Sequence, residues 1–242
     1  MSAEAARSER SDPGEDTVRI SNVLRRGHWY SELPAAVQHE IVTRARVRDF
    51  EKGAVISLQG SPVAGMAAVL SGQVKLVRQA RPGHETLLCI CEPGFWFAEY
   101  AALTGDRALV TAIARCRARL LVLPRAAIQQ MIGEDAGAFR HFAMLAIRRI
   151  PLYVKAFIHA SSLEPEARLR GQLAVLAQIK VEELGAQAPV DLPYSQSDLA
   201  SLIGLSRQTT NQLIQALAAQ RLIETGFRQI RVLSPDALLD RA

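Results

Sequence analysis

The sequence predicts an α+β fold in which an N-terminal all-β unit is followed by helices and by a C-terminal helix-turn-helix with a β-hairpin. Three observations predict it: regularly spaced glycines between short apolar runs, a heptad-like apolar stripe in mid-chain, and a helical pair with one polar face near the C-terminus. A chain of 242 residues has the usual length of about two domains. Hydrophobic residues make up 49% of it, enough to supply a core for each domain.

The first segment, residues 1–18, is small, charged and contains proline and glycine, so we expect a disordered arm. It lacks the apolar centre of a signal peptide, and no run of about eighteen apolar residues follows. The three cysteines form no paired framework, which favours a reducing compartment. We therefore expect a cytoplasmic protein with no membrane partner. The net charge of +5 is compatible with a nucleic-acid partner but does not demonstrate one.

The first domain is predicted to span residues 19–134. After a short helix near Leu33-Pro34, short apolar runs alternate with glycines at intervals of roughly 8–12 residues, which is typical of a compact all-β unit. Glycine suits such turns because it tolerates positive φ. The candidate strands are 54–58, 67–70, 73–78, 86–91, 112–115 and 120–123.

A long helix is predicted over residues 135–161. Its apolar residues recur in steps of four and three, as in two helices that pack along each other. They are Phe139, Ala143, Ala146, Ile150, Tyr153 and Phe157. A helix that lies on its own β-domain is the alternative, because too few heptads are present to decide. Pro151 removes one backbone donor, and we expect it to kink or break the helix.

The last domain, residues 162–242, contains the strongest motif. Ser195 followed by Asp198 predicts a capped helix start, and Gly204 permits a sharp turn into a second helix. Ser206 is the expected cap of that second helix, which is predicted to span 206–219. Its buried face would be formed by Leu213, Ile214 and Leu217.

The outward face of this second helix is polar. Leu222–Glu224 and Ile230–Leu233 flank Thr225-Gly226-Phe227, which predicts a hairpin on which Arg228 and Arg231 would lie near phosphates. An ordinary helical hairpin is the alternative, which the added wing disfavours. The side chains on the outward face have the hydrogen-bonding groups that read base edges in the DNA major groove: Arg207, Gln208, Thr209, Asn211 and Gln212.

These residues resemble the cyclic-AMP receptor protein/FNR family of bacterial regulators, over nearly all of residues 24–238. The resemblance is clearest in two segments, FEKGAVISLQGSPVAGMAAVLSGQVKLVRQARPGHETLLCICEPGFWFAEYAALTG and DLASLIGLSRQTTNQLIQALAAQRLIE. The resemblance implies a cyclic-nucleotide-binding-like β-roll (a double-stranded jelly roll), a long dimerisation helix and a winged helix-turn-helix. It also implies a homodimeric transcription regulator that binds a near-palindromic site in double-stranded DNA, with RNA polymerase as a further expected partner.

By that resemblance, Arg207, Gln208 and Asn211 are the leading base-contacting candidates. Members that read the family's best-known site carry Glu where this chain has Gln208, so the preferred site is expected to differ, because Gln both donates and accepts hydrogen bonds. Secondary base-contact candidates are Thr209 and Gln212, and candidates for phosphate contact are Ser195 and Ser206.

The family's nucleotide cassette requires a Gly-Glu pair and, about ten residues later, an Arg followed by Ser or Thr. Here the candidate pocket residues are Ala98, Glu99, Arg107 and Ala108, with Leu109 in place of the hydroxyl. Arg107 is one residue early and would point to the opposite face of a strand. We therefore do not expect the ligand to be cyclic AMP, and the sequence does not identify the ligand. A cyclic-nucleotide-responsive regulator, or a module that controls a protein partner, using Glu99 and Arg107, is the alternative.

No iron–sulfur cluster or other metal site is expected, because a cluster needs about four cysteine ligands and the chain offers Cys89, Cys91 and Cys116. Haem bound through a histidine remains an unsupported alternative. No paired catalytic carboxylates, nucleophile–base motif or phosphate loop is present, so we do not expect an enzyme. The histidines, which form no ligand-spaced motif, are His28, His39, His84, His141 and His159.

Overall fold

The computed structural model describes residues 13–81, 84–161 and 164–239. The helices are α1 (Pro13–Leu24), α2 (His28–Ser31), α3 (Ala35–Arg44), α4 (Glu99–Thr104), α5 (Arg125–Glu134), α6 (Ala136–Ala160), α7 (Pro165–Leu184), α8 (Gln196–Ile203), α9 (Arg207–Ala219) and α10 (Pro235–Leu239). The strands are β1 (Arg46–Phe50), β2 (Val55–Ser57), β3 (Gly65–Ser71), β4 (Val74–Arg81), β5 (His84–Cys91), β6 (Trp96–Phe97), β7 (Thr111–Ala114), β8 (Ala118–Pro124), β9 (Val190–Leu192), β10 (Ile223–Gly226) and β11 (Gln229–Val232). Within these ranges, no helix combines the length and apolar character that crossing a lipid bilayer requires.

Two antiparallel four-stranded sheets form the N-terminal β-roll. One has the strand order β1-β8-β3-β6 and the other the order β2-β7-β4-β5. Their facing side chains form one apolar core, which includes Val69, Val74, Phe97 and Leu120. The predicted β-roll is confirmed, and each of the six candidate strands overlaps an observed strand.

The N-terminal segment differs from the expectation of a disordered arm over residues 1–18. Residues 1–12 lie outside the described part of the chain, but residues 13–18 belong to α1. The expectation was wrong for them because the second half of α1 is anchored. Leu24 is fully buried in a core with Trp29 and Tyr30, and Ile20 packs against that core. The polar first turn extends from this anchored half.

Helix α6 uses two different faces. One face is buried against its own domain and α7, and carries Ala138, Phe142, Leu145, Arg149 and Leu152. The helix therefore does lie on its own β-domain, but through a different stripe from the predicted seam. On that seam Phe139, Ile150, Tyr153 and Phe157 remain exposed, the last at 74%. The helix is not broken at Pro151, contrary to one of the two outcomes expected there.

The C-terminal domain packs α7, α8, α9 and a small sheet of order β10-β11-β9 around one core. That core includes Leu199, Ile214 and Val232. It also continues into the β-roll, because Leu87 and Ile90 of β5 belong to the same apolar cluster. The two domains therefore share buried surface in this structure.

Candidate functional site

The helix-turn-helix is formed by α8 and α9, and both starts are capped as predicted. The Ser195 hydroxyl accepts from the Asp198 amide, and the Asp198 carboxylate accepts from the Ser195 amide, which completes a capping box. Gly204 ends α8 at φ +68°, a conformation that glycine adopts without steric cost. Ser206 caps α9 by accepting from the Thr209 amide. These local contacts fix the direction of α9.

The predicted reading face of α9 is open to solvent. Arg207, Gln208 and Gln212 are exposed. Asn211 is half-buried, and its Oδ1 accepts a 2.8 Å hydrogen bond from Gln196 Nε2, which leaves its amide nitrogen free to donate. In the described part of the chain, the Arg207 guanidinium has no ion-pair partner.

Two of the other candidates are already engaged within the protein. The Thr209 hydroxyl lies 2.8 Å from Ser206 Oγ at the cap. The Ser195 hydroxyl donates to Asp198, whose carboxylate also pairs with Arg115 of the β-roll at 2.7 Å. The Ser195 hydroxyl is thus engaged at the cap, beside the Asp198–Arg115 contact, which is a poor position for the predicted phosphate contact.

The wing is the β10–β11 hairpin, and its turn is Phe227-Arg228, whereas Thr225 and Gly226 of the predicted turn belong to β10. Phe227 is 95% exposed and Arg228 adopts φ +55° at the tip. Arg231 differs from the prediction because its guanidinium forms a two-bond pair with Asp191, at 2.7 and 3.1 Å. These bonds hold the pKa of the Asp191 carboxyl below its ordinary value. Of the two predicted wing arginines, Arg228 is therefore the better placed for a phosphate.

The helix-turn-helix and the wing, which we call the reading unit, contact the β-roll at the β2-β7-β4-β5 sheet. Ser201 of α8 donates to the Glu85 carbonyl at 3.0 Å and accepts from the Leu87 amide at 3.3 Å. The Tyr194 hydroxyl accepts from the Ile90 amide at 2.8 Å. Strand β5 thus bonds directly to the segment that begins the helix-turn-helix.

A cavity of about 650 Å³ lies between the β-roll, α6, α7 and α8. Its walls are mostly apolar, as is usual for small-molecule sites. Predicted pocket residues Ala98, Glu99 and Ala108 line it, and so do Ala146, Ile150, Tyr153 and Phe157 of the predicted α6 seam. Leu202 of α8 also lines it, so the cavity reaches the reading unit.

Among the described residues, the charged ones that line the cavity are Glu99, Arg149 and Glu183, and Arg149 binds both carboxylates. Arg149 Nη1 lies 2.8 Å from Glu99 Oε1, and Arg149 Nε lies 2.7 Å from Glu183 Oε1. Arg149 Nη2 donates to Glu183 Oε2 and to the Trp96 carbonyl, each at 2.8 Å. We call Glu99, Arg149 and Glu183 the buried triad.

The Arg149 guanidinium of the buried triad stays charged although it is almost completely removed from water. Burial alone would lower the pKa of the Arg149 guanidinium, but Glu99 and Glu183 more than offset this, and the pKa lies well above its ordinary value. The guanidinium also stacks over the Phe95 ring, 4.6 Å from its centroid. With one cation and two carboxylates, the formal charge of the triad is −1.

Sequence reasoning identified Glu99 but missed both of its partners in the triad. The available signal was the position of Arg149, which follows the buried stripe of α6 in the same steps of four and three as Phe142, Leu145 and Leu152. A cation on a buried stripe requires a buried anion. Its partners could not be identified from the sequence because Glu99 is 50 residues before it and Glu183 is 34 residues after it.

The cavity does not fit a cyclic nucleotide in the manner of the family's cassette. Arg107 is exposed, is absent from the cavity wall, and donates to the Gly60 carbonyl at 2.8 Å. The predicted pocket role of Arg107 is therefore wrong, because its side chain leaves on the other side. Ala108 and Leu109 line the wall with methyl groups where a phosphate would need donors. The carboxylate of Glu99 is already bound to Arg149.

Ala98, directly before Glu99, adopts a left-handed conformation at φ +67°. The resemblance places glycine at this position, and a left-handed alanine costs roughly 1–2 kcal/mol. The strained position aims the first turn of α4 into the cavity, where Glu99 meets Arg149.

The cysteines and histidines do not gather into a metal site among the described residues. Cys89 Sγ and Cys91 Sγ lie 4.0 Å apart, and burial raises the pKa of the Cys91 thiol well above its ordinary value, so it stays protonated and apolar. Of the described histidine side chains, His28, His39, His141 and His159, none lines the cavity. Haem gains no support from this arrangement.

Comparisons with known proteins agree with this architecture. Residues 47–135 match the family described as cyclic nucleotide-binding domain, and residues 167–241 match the family described as Crp-like helix-turn-helix domain. The first match covers the β-roll and the second covers the reading unit.

Two relatives and one solved structure show how similar this chain is to known proteins. A CRP-like cAMP-activated global transcriptional regulator of Mycobacterium tuberculosis is 24% identical over 91% of this chain and 98% of its own length. A global nitrogen regulator of Synechococcus elongatus is 25% identical over 80% of this chain and 88% of its own. The structure of FixK2 from Bradyrhizobium japonicum aligns with a TM-score of 0.67 at 16% identity, over 81% of this chain and 96% of that chain.

Removal of Arg149 tests the structural role of the buried triad. Arg149→Met leaves two carboxylates buried without a cation, and we expect the free energy of unfolding to fall by about 3–5 kcal/mol in denaturant titration. The matched triple variant Glu99→Gln/Arg149→Met/Glu183→Gln removes all three charges and should recover most of this loss. If Arg149→Met is as stable as the wild type, the triad does not hold these elements together.

Proposed function

The chain belongs to the Crp/Fnr family of transcription regulators, and we propose that it acts as a homodimer that binds a near-palindromic DNA operator through α9. The observation that carries the proposal is the exposed polar face of α9, where Arg207, Gln208 and Gln212 point to solvent and no acidic side chain of the described residues pairs with Arg207. These side chains have the donor and acceptor groups that recognise guanine and adenine edges. The two matched domains are those of a regulator and not of an enzyme.

The roles of the reading residues follow from their contacts. Arg207, Gln208 and Asn211 are proposed to bind base edges, and Thr209 and Gln212 to assist them. Gln196 supports this by holding the Asn211 carbonyl, which directs the amide donor of Asn211 outward. Phosphate contacts are proposed for Arg228 at the wing tip and for Ser206 at the cap, where backbone amides at a helix start attract anions.

The homodimer is proposed to form through the exposed seam of α6. The seam presents large apolar side chains to solvent, and a contiguous apolar patch of this kind usually marks an interface. Two copies of α6 packed along this seam would present two α9 helices to successive major grooves, about 34 Å apart. The residues proposed in the interface are Phe139, Ala143, Ala146, Ile150, Tyr153 and Phe157.

The ligand of the sensor domain is proposed not to be cyclic AMP. The support is the buried triad and the outward path of Arg107, which leave no unpaired cation for a cyclic phosphate among the described residues of the cavity wall. A cyclic-nucleotide-responsive regulator is the second candidate, and the cAMP-activated relative from Mycobacterium tuberculosis favours it. We further propose that the protein works in the cytoplasm and contacts RNA polymerase, as the resemblance to this family implies.

Two arginine variants separate base reading from phosphate binding. A preferred duplex can be selected from a randomised library by rounds of binding to the wild type. The affinity for this duplex is then compared with the affinity for a scrambled duplex of the same composition. Arg207→Ala should lose about 1–3 kcal/mol of discrimination between the two duplexes. Arg228→Ala should weaken binding to both duplexes equally and reduce the salt slope by about 1.

Arg119→Ala is the matched control, because it removes one exposed arginine from the β-roll, away from the reading unit. It should keep both the affinity and the discrimination of the wild type. The assignment of α9 fails if Arg207→Ala footprints like the wild type at about 150 mM salt, where non-specific binding is weak.

A charge on the α6 seam tests the homodimer. Phe139→Glu places a carboxylate in the proposed interface, and light scattering should give a dimer dissociation constant at least roughly thirtyfold higher than that of the wild type. Leu58→Glu is the control, since Leu58 is similarly exposed but lies on the β-roll. A wild type that is monomeric at high protein concentration would contradict the interface.

A further inference from the structure

The cavity combines a drug-sized volume with an unusual charge balance. Its volume of about 650 Å³ falls in the range of small-molecule sites, roughly 300–1,000 Å³. The wall is built mainly from apolar side chains of the β-roll and of the helices α6 and α7, including Phe97, Leu152 and Val175. A ligand that fills this volume must therefore offer mostly apolar surface.

The buried triad decides which charge such a ligand can carry. The guanidinium of Arg149 has its nitrogens bound to Glu99, Glu183 and the Trp96 carbonyl. Four of its five N–H donors are engaged in these bonds, so an incoming anion meets only one N–H, on Nη1, unless a buried carboxylate is released. The excess of one carboxylate gives the triad a formal charge of −1, so an anionic ligand is repelled at short range and in low dielectric.

The polar groups of the wall are few and belong mostly to uncharged residues. Ser57, Thr86, Tyr153 and Gln172 line the cavity, and Gln172 Nε2 is already bound to the Ala156 carbonyl. Such groups orient a ligand through single hydrogen bonds without requiring a charge on it.

We propose that the cavity binds an uncharged, predominantly apolar small molecule. The inference rests on the proposed function for its regulatory meaning, and it specifies the ligand class that the sensor recognises. The occupant would contact Leu202 of α8, on the helix that also bonds to β5 through Ser201. The open side of the cavity is bounded by Ile150 and Phe157 of the proposed dimer seam, so a second copy would close it.

Two fluorescent probes with the same carbon skeleton test the charge requirement. N-phenylnaphthylamine is uncharged, and anilinonaphthalene sulfonate is its sulfonated counterpart; both become fluorescent in apolar surroundings. We expect saturable binding of the uncharged probe at one molecule per protomer, with a dissociation constant at least roughly tenfold lower than that of the sulfonate. Equal or tighter binding of the sulfonate would overturn the proposal.

Glu99→Gln removes the excess charge and keeps the shape of the side chain. The remaining Arg149–Glu183 pair is neutral, so affinity for the sulfonate should rise by roughly tenfold, while affinity for the uncharged probe stays within about twofold. If the ratio of the two probes' dissociation constants is unchanged, the triad does not select the ligand charge, and that part of the proposal is overturned.

A cavity-filling variant establishes where the probe binds. Val110→Trp adds an indole at a half-buried wall position and should abolish binding of the uncharged probe. Val47→Trp is the control, since Val47 is a half-buried valine on β1 outside the wall, and it should bind the probe like the wild type. Circular dichroism verifies the fold of both variants. Probe binding that survives Val110→Trp in a folded protein would contradict the proposal, whereas a failure of DNA binding alone would not change these results.

Discussion

The arrangement of this protein depends on one buried cation, Arg149. It joins α4 through Glu99, the β-roll through the Trp96 carbonyl, and α7 through Glu183. Because an unpaired guanidinium or carboxylate in this environment is strongly unfavourable, these elements can separate only if several charges are exposed or protonated together. The same cation therefore sets the position of α6 on the β-roll, and with it the direction in which the apolar seam faces solvent. It also removes Glu99 from the set of free ligand-binding groups.

A second set of contacts connects the sensor to the reading unit. Asp198 closes the capping box of α8 and also pairs with Arg115 of the β-roll, so one carboxylate serves the helix start and the domain interface. Strand β5 lines the cavity and also bonds to Ser201 and Tyr194. A change in the cavity that moves β5 would therefore alter contacts that orient α8, and α9 follows α8 through the turn at Gly204. These contacts connect the cavity to α9 through β5 and α8.

The parts of the fold that the sequence predicted are those determined by local contacts. The caps at Ser195 and Ser206 and the bounds of α9 depend on residues within four positions of each other, so the sequence contains their cause. The buried triad depends on partners tens of residues apart, and the pairing of Arg231 with Asp191 spans 40 residues. Helix α6 carries two stripes with the same spacing, and only the tertiary structure distinguishes the buried one. For Arg107, the one-residue offset from the family's pattern predicted a side chain that faces away from the pocket, and in the structure it donates to the Gly60 carbonyl outside the cavity wall.

The sensor keeps the family's fold, and the proposed loss of its nucleotide chemistry follows from the commitment of the Glu99 carboxylate to Arg149. Calorimetric titration of the full-length protein with cyclic AMP tests this most directly. We expect no saturable heat up to millimolar nucleotide. A stoichiometric isotherm with a micromolar dissociation constant would contradict it, since that affinity requires an unpaired cation for the phosphate, and the described residues of this cavity wall include none.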